Sequence, residues 1–152
     1  MALKPTRVTI PGGDSVAYFM NETAERGCVV IWDTSLTGLG GLDDPNAVVK
    51  LPPNSGGTPV GVLMNDVVNK DLTRTHLNAH KDEVQVNGKV TVLKKGTVQT
   101  NRVAAGVTPV AGDSAYYTTG GVFTTAVVAA ALVGKFASAK DADGYVVVDV
   151  RL

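Results

Sequence analysis

Between Lys81 and Gly106, in KDEVQVNGKVTVLKKGTVQTNRVAAG, valines at 84, 86, 90, 92, 98 and 103 keep mostly even spacing, and Gln, Lys, Thr and Asn fill the gaps. A period of two puts alternate side chains on opposite faces of an extended chain, so this stretch is constrained to strand. Asn87-Gly88 divides it. That dipeptide supplies the left-handed backbone of a two-residue type I′ turn, which predicts a β-hairpin over residues 82 to 95 with its apolar side chains on one face. Nothing in the stretch carries catalytic chemistry, an early sign of a structural or binding module.

The rest of the chain extends the same code. Val occurs 26 times, Thr 16 times and Ile twice, and 17 glycines with seven prolines punctuate them. β-Branched residues fit pleated, half-buried surfaces, and dense turn residues imply many short strands, so the class is mainly β. At 152 residues the chain is long enough to bury a core in one domain without disulfides or metals. Residues 1–5 are expected to form an extended N-terminal arm, Pro5 holding Lys4 extended, and residues 6–152 a single β domain.

Along that domain, Arg7 to Ile10 reads as a strand, Pro11-Gly12-Gly13 as a turn, and Ser15 to Met20 as a second strand. GCVVIWD, from Gly27 to Asp33, is a continuous apolar run of strand length and predicts a central strand buried on both faces, with Trp32 as a core anchor. Thr34 to Gly57 is the longest irregular segment; within it Ala47 to Leu51 reads as one short edge strand. Long loops in compact domains are usually functional, so this one is a candidate contact surface. Pro59 to Val68 resumes as strand, with Gly61 marking a bulge or a close backbone approach. Asn69 to His80 reads as a loop or one or two helical turns. Further strands follow at Thr97 to Val103, Ser114 to Thr118, Val122 to Thr125, Leu132 to Ser138 and Tyr145 to Arg151. Ala126 to Ala131 reads as strand or irregular chain. A faint echo links the halves: GCVVIWDTS, VGVLMND and EVQVNG recur in order as GDSAYYTTG, VGKFAS and YVVVDV, which raises the reading of two similar halves.

Charge and motifs exclude several functions. Fourteen Lys and Arg balance fourteen Asp and Glu without a long like-charge run, which argues against nonspecific binding to nucleic acid or an anionic membrane. No apolar h-region opens the chain and the longest apolar tract, Ala126 to Val133, is far below the ~20 residues of a spanning helix, so a soluble protein without a secretory signal is expected. The single cysteine, Cys28, has no internal partner and reads as a buried small hydrophobe folded in a reducing cytoplasm. His76 and His80 are four apart, a spacing that can bind zinc, but no Glu follows the first as in H-E-x-x-H, and a polar loop is the better reading. Asp141-Ala-Asp-Gly resembles the start of a calcium loop without its closing Glu and reads better as an Asp-capped turn. No Ser, Thr or Cys nucleophile stands in a recognisable motif with His, and no glycine pattern suits phosphate. No catalytic, cofactor-binding or metal residue is therefore expected. Aromatics total eight, too few for a base-stacking or sugar-binding platform.

Four stretches together resemble a known family. HKDEVQVNGKVTVLKKGTVQTN, the Gly112-Asp113-Ser-Ala-Tyr-Tyr strand, Val133-Gly134-Lys-Phe, and Asp143-Gly144-Tyr-Val-Val-Val-Asp-Val are similar to tailed-bacteriophage virion proteins, in particular head decoration or capsid cement proteins. The pattern covers roughly residues 59 to 152. The resemblance implies a small β-barrel or β-sandwich subunit, made in the host cytoplasm, that forms a homotrimer. It would sit on the outer capsid surface at threefold or quasi-threefold positions, bridging neighbouring major capsid proteins. Ala2, Leu3, Lys4, Pro5, Thr6 and Arg7 are the expected capsid contact, as an arm able to add a strand to a capsid-protein sheet. The alternative is a carbohydrate- or receptor-binding β module of the virion.

Overall fold

The computed structural model describes residues 9–34, 48–54, 56–74, 83–127 and 131–152. Among these, regular structure is β apart from 3-10 turns at Leu72–Arg74 and Thr119–Gly121. The strands in chain order are β1 (Thr9–Met20), β2 (Val29–Trp32), β3 (Val48–Lys50), β4 (Pro59–Leu63), β5 (Asp66–Val68), β6 (Glu83–Gln85), β7 (Lys89–Thr100), β8 (Ser114–Thr118), β9 (Val122–Thr124), β10 (Gly134–Phe136) and β11 (Val146–Arg151).

Five of them close on themselves in the order β1-β3-β2-β4-β7, and pairing of β7 back to β1 completes a small barrel. The long β7 then leaves the barrel. Its Lys95 to Thr100 pair antiparallel with β11, and the sheet continues through β10 and β8 to β9. The chain leaving β7 returns to this second sheet: Val103 bridges Phe123 of β9, with the Ala104 N–H donating to the Phe123 carbonyl and the Phe123 N–H to the Arg102 carbonyl, each at 2.8 Å. The second sheet thus also curls into a ring, closed at a single bridge.

Two cores follow from this wall-sharing. Tyr18, Met20, Val30, Val49, Val60, Leu63, Val90 and Val92, drawn from all five barrel strands, form one cluster with Val67 of β5. Val29, Ile31, Val62, Leu93 and Val98 pack instead with Ala115, Tyr117, Phe123, Phe136, Val146, Val148 and Val150 of the second sheet. Strands β2, β4 and β7 are therefore buried on both faces, which is why GCVVIWD carries no polar alternation, as expected. Trp32 packs edge-on against Tyr18 at the barrel core, ring centroids 5.2 Å apart. β11, by contrast, alternates buried valines with Val147, Asp149 and Arg151 on its outer face, the mark of a sheet covered on one side.

Four expectations need correction. Pro11-Gly12-Gly13 is not a turn between two strands: β1 runs through it. From Thr9↔Thr97 to Asp14↔Lys95, β1 advances five residues while β7 advances two, so the triplet is a bulge on a single strand. The hairpin expected over residues 82 to 95 does not pair with itself either. β6 leaves the sheet and runs parallel to β5, with Val84 opposite Val67, while β1 becomes the neighbour of Lys89 to Leu93. The turn is tight, the Gly88 N–H reaching the Gln85 carbonyl at 2.8 Å. Only Asn87 has a positive φ, 68°, so it is not type I′. Gly88 is needed for space: a Cβ there would lie 2.6 Å from Val84 Cγ1 and 2.7 Å from the Gln85 oxygen. Third, the strand within Ala47 to Leu51 is β3, and it is not an edge; it sits between β1 and β2 and closes the barrel. Fourth, the run from Pro59 to Val68 is two strands, broken where the Met64 N–H donates to Thr91 O at 2.9 Å and Asn65 Oδ1 accepts from the Thr91 N–H at 2.7 Å.

The echo between halves has a geometric counterpart. β2 and β4 are antiparallel neighbours, as are β8 and β10. In each pair the Val-Gly strand presses its glycine on the next strand: a Cβ on Gly61 would fall on the Leu93 carbonyl oxygen, and one on Gly134 on that of Asp149. The third member differs, since YVVVDV joins the sheet as β11 whereas EVQ of EVQVNG goes to β5.

Candidate interaction surfaces

The residues expected to meet the capsid, Ala2, Leu3, Lys4, Pro5, Thr6 and Arg7, lie outside the described residues, as do His76 and His80. What is described of Thr34 to Gly57 is anchored. Lys50 Nζ pairs with Asp33 at 2.9 Å, and that carboxylate side chain is only 4% exposed. The Leu51 N–H donates to Glu22 Oε1 at 2.5 Å, the Gly120 N–H to the Pro52 carbonyl at 2.9 Å, and the Tyr117 hydroxyl to the Gly57 carbonyl at 2.7 Å. The last two tie this loop, which belongs to the barrel, to the second ring.

The candidate chemistry elsewhere resolves into structure. Asp141 Oδ1 accepts from the N–H groups of Asp143 at 3.0 Å and Tyr145 at 2.8 Å, and its carbonyl accepts from Gly144 at 3.0 Å, which is the Asp-capped turn expected for DADG. Among the described residues no group of three or more His, Cys, Asp or Glu is placed to hold a metal. Cys28 is buried, and burial, with the Asp66 carboxylate as a second cause, pushes its thiol up to about 11, leaving it protonated and unreactive at neutral pH. Two ion pairs fasten the corner before β2: Arg26 with Asp66, where the Arg26 N–H also donates to Asp66 Oδ1 at 2.8 Å, and Arg102 with Glu25. Their role is to hold the chain leaving β7 and the start of β5 against that corner.

The exposed large apolar side chains among the described residues are Val110, Val127, Leu132 and Leu152, at 61, 74, 50 and 42%. All belong to the second ring or its connections. Sequence reading passed over them because they lie in connections or at strand ends, where periodicity assigns no face. A valine between Pro109 and Gly112 and a leucine at the end of a strand were the signals available, since turns and strand ends normally carry polar residues.

Among the described residues no helix is long and apolar enough to cross a membrane. No curated protein matches the chain. A family model described as structural cement protein (E217 gp24/Pam3 gp6) matches residues 8–151. That match spans both rings, the shared β7 and the whole of the stretch from Lys81 to Gly106, and by it this chain belongs to the phage structural cement proteins, virion components that stabilise the capsid.

Proposed function

We propose that this protein cements the capsid as a homotrimer on the outer surface, at threefold or quasi-threefold positions, where each trimer bridges neighbouring major capsid proteins after shell expansion. The family match over residues 8–151 carries this reading. The physics supports it. A site shared between neighbouring capsid proteins exists only on the assembled lattice, so a cement that occupies it adds binding free energy to the mature shell alone. Multivalent attachment of a trimer multiplies that effect by raising the effective concentration of each further contact. Such a task calls for a rigid scaffold, and a closed barrel sharing three walls with a second core provides one.

Residues 1–5 are the arm in this reading, and Ala2 to Arg7 supply its first contact by adding a strand to a capsid-protein sheet; the Thr34 to Gly57 loop supplies the second. Purified protein added to expanded capsids lacking it should co-sediment to saturation and raise the temperature at which the capsids release DNA. Absence of binding to such capsids would overturn the proposal. Removing residues 1–6 should cut occupancy while leaving the thermal unfolding of the free protein unchanged; unaltered occupancy would dismiss the arm. The carbohydrate- or receptor-binding alternative draws no support from Tyr18 with Trp32 or Phe123 with Phe136, which form edge-on pairs within the two cores.

A further inference from the structure

The turn that joins β6 to β7 carries a reactive pair for which capsid binding has no use. Asn87-Gly88 is the only Asn-Gly in the chain. An asparagine side chain is attacked most readily by the backbone nitrogen of a following glycine, because no Cβ obstructs closure of the five-membered ring. The structure singles out the same asparagine. Asn87 is exposed, and among the described residues its side-chain amide makes no hydrogen bond. Asn54 and Asn65 use theirs, accepting from the Gly56 N–H at 2.8 Å and the Thr91 N–H at 2.7 Å. Asn21, Asn69 and Asn101 are followed by Glu22, Lys70 and Arg102, whose side chains crowd the attacking nitrogen. The main chain of the turn opposes the reaction. The Asn87 N–H donates to Met20 O and the Gly88 N–H to Gln85 O, each at 2.8 Å, and the Met20 N–H donates to Gly88 O at 3.4 Å. The nitrogen that has to attack is therefore occupied as a donor while the turn is closed.

We infer that Asn87 is a site of spontaneous deamidation, gated by this turn. When the turn opens, the Gly88 nitrogen attacks Asn87 Cγ. The N–Cγ bond forms, the Cγ–Nδ2 bond breaks, and the proton of the attacking nitrogen ends on the departing one, which leaves as ammonia. Water then opens the resulting succinimide at either carbonyl and gives aspartate or isoaspartate at position 87. Water is the only co-reactant. The two products differ in effect. Aspartate keeps the backbone and tolerates its positive φ of 68°. Isoaspartate routes the main chain through the former side chain and adds a methylene between the two N–H groups of the turn, so the bonds to Met20 and Gln85 cannot both survive and the tie to β1 is lost. A virion does not resynthesise its components, so the change accumulates with the age of the particle.

Peptide mapping of the full chain by mass spectrometry, with isoaspartate resolved from aspartate, tests it after incubation at mildly alkaline pH. In the folded protein Asn87 converts ahead of every other asparagine. In urea it converts at least about tenfold faster, since only the folded turn keeps the Gly88 nitrogen engaged. Ion exchange separates the converted forms, and hydrogen exchange at Gly88 is at least about tenfold faster in the isoaspartyl form than in the parent, while the aspartyl form stays close to the parent. Asn87→Gly, which suits a left-handed backbone and lacks the amide, keeps the thermal transition and loses the acidic species. Persistence of that species in the folded variant assigns it to another residue and overturns the inference. So do an absence of acid at position 87 after prolonged incubation, equal rates in the folded and urea-unfolded chains, and an isoaspartyl form protected like the parent.

Discussion

The two rings are built from similar strands but closed in different ways. The barrel is sealed along the length of β1 and β7, from Thr9↔Thr97 to Phe19↔Lys89, with register shifts at the Pro11-Gly12-Gly13 bulge and again between Asp14 and Ser15. The second ring is sealed by one bridge between Val103 and Phe123. The described exposed apolar residues follow this division, all four lying on the second ring or its connections. A ring closed by many ladder bonds has no edge to offer, whereas one closed at a point keeps strand ends and turns open to a partner. Among the described residues, then, the barrel strands are paired along their length, and the exposed large apolar side chains lie on the second ring or its connections.

The largest effects should come from the two glycines that press on neighbouring backbone. Gly61→Val in the barrel and Gly134→Val in the second ring should each cost about 4 kcal/mol or more, because a Cβ at either site falls on a main-chain oxygen that cannot swing aside. Urea denaturation decides whether the rings are equally rigid; a mild Gly134→Val beside a severe Gly61→Val would show that the second ring yields where the barrel does not.

Core truncations come next. Leu63→Ala in the barrel should cost ~2–5 kcal/mol and Phe136→Ala in the second ring ~3–5 kcal/mol. Because β2, β4 and β7 wall both cores, each variant should unfold in one transition with an unchanged denaturant slope. Two separated transitions would break the picture of a shared wall.

The seam between the rings offers two smaller probes. Cys28 packs near Gly121 of the 3-10 turn that leads to β9. Its thiol ionises near 9.0 when free and near 11 when folded. Between those values the unfolded chain releases a proton that the folded chain retains, so stability should fall as pH rises from about 9 to about 11, by up to roughly 3 kcal/mol. Cys28→Ala should flatten that fall in denaturation curves recorded across the range. Tyr117→Phe removes the hydroxyl that donates to the Gly57 carbonyl and should cost about 1 kcal/mol, read as a lowered urea midpoint. A neutral Tyr117→Phe would mean that the loop is held to the second ring by Gly120 and Pro52 alone.

Much of this architecture was legible from residue order. The β class, the strands at Ser114 to Thr118 and Tyr145 to Arg151, the doubly buried GCVVIWD, the Asp-capped DADG turn and the close approach at Gly61 all follow from local chemistry: β-branching, spacing, turn residues and the absence of a side chain. The failures share a cause. Pro11-Gly12-Gly13 has a strong local turn signal, but a bulge also accepts Gly and Pro, and which one forms depends on whether a partner strand lies alongside; Asn87-Gly88 does turn the chain, but its two arms pair with β5 and β1 and not with each other. For residues 11–13 that partner is β7, some eighty positions away in the chain. The exposed Val110, Leu132 and Leu152 were not legible because an apolar residue at a strand end looks the same whether it is covered or open.

By itself, then, the sequence determined that the chain is mainly β, where most of its strands lie and, through the stretch from Lys81 to Gly106 and its companions, a likeness to phage cement proteins. Tertiary structure alone decided the pairing: that Glu83–Gln85 turns away to β5 and that Lys89–Thr100 serves two rings. The physical reason is that strand formation is written in a period of two along the chain. Strand partnership is settled by burial and hydrogen bonding between segments that meet only once the chain has folded.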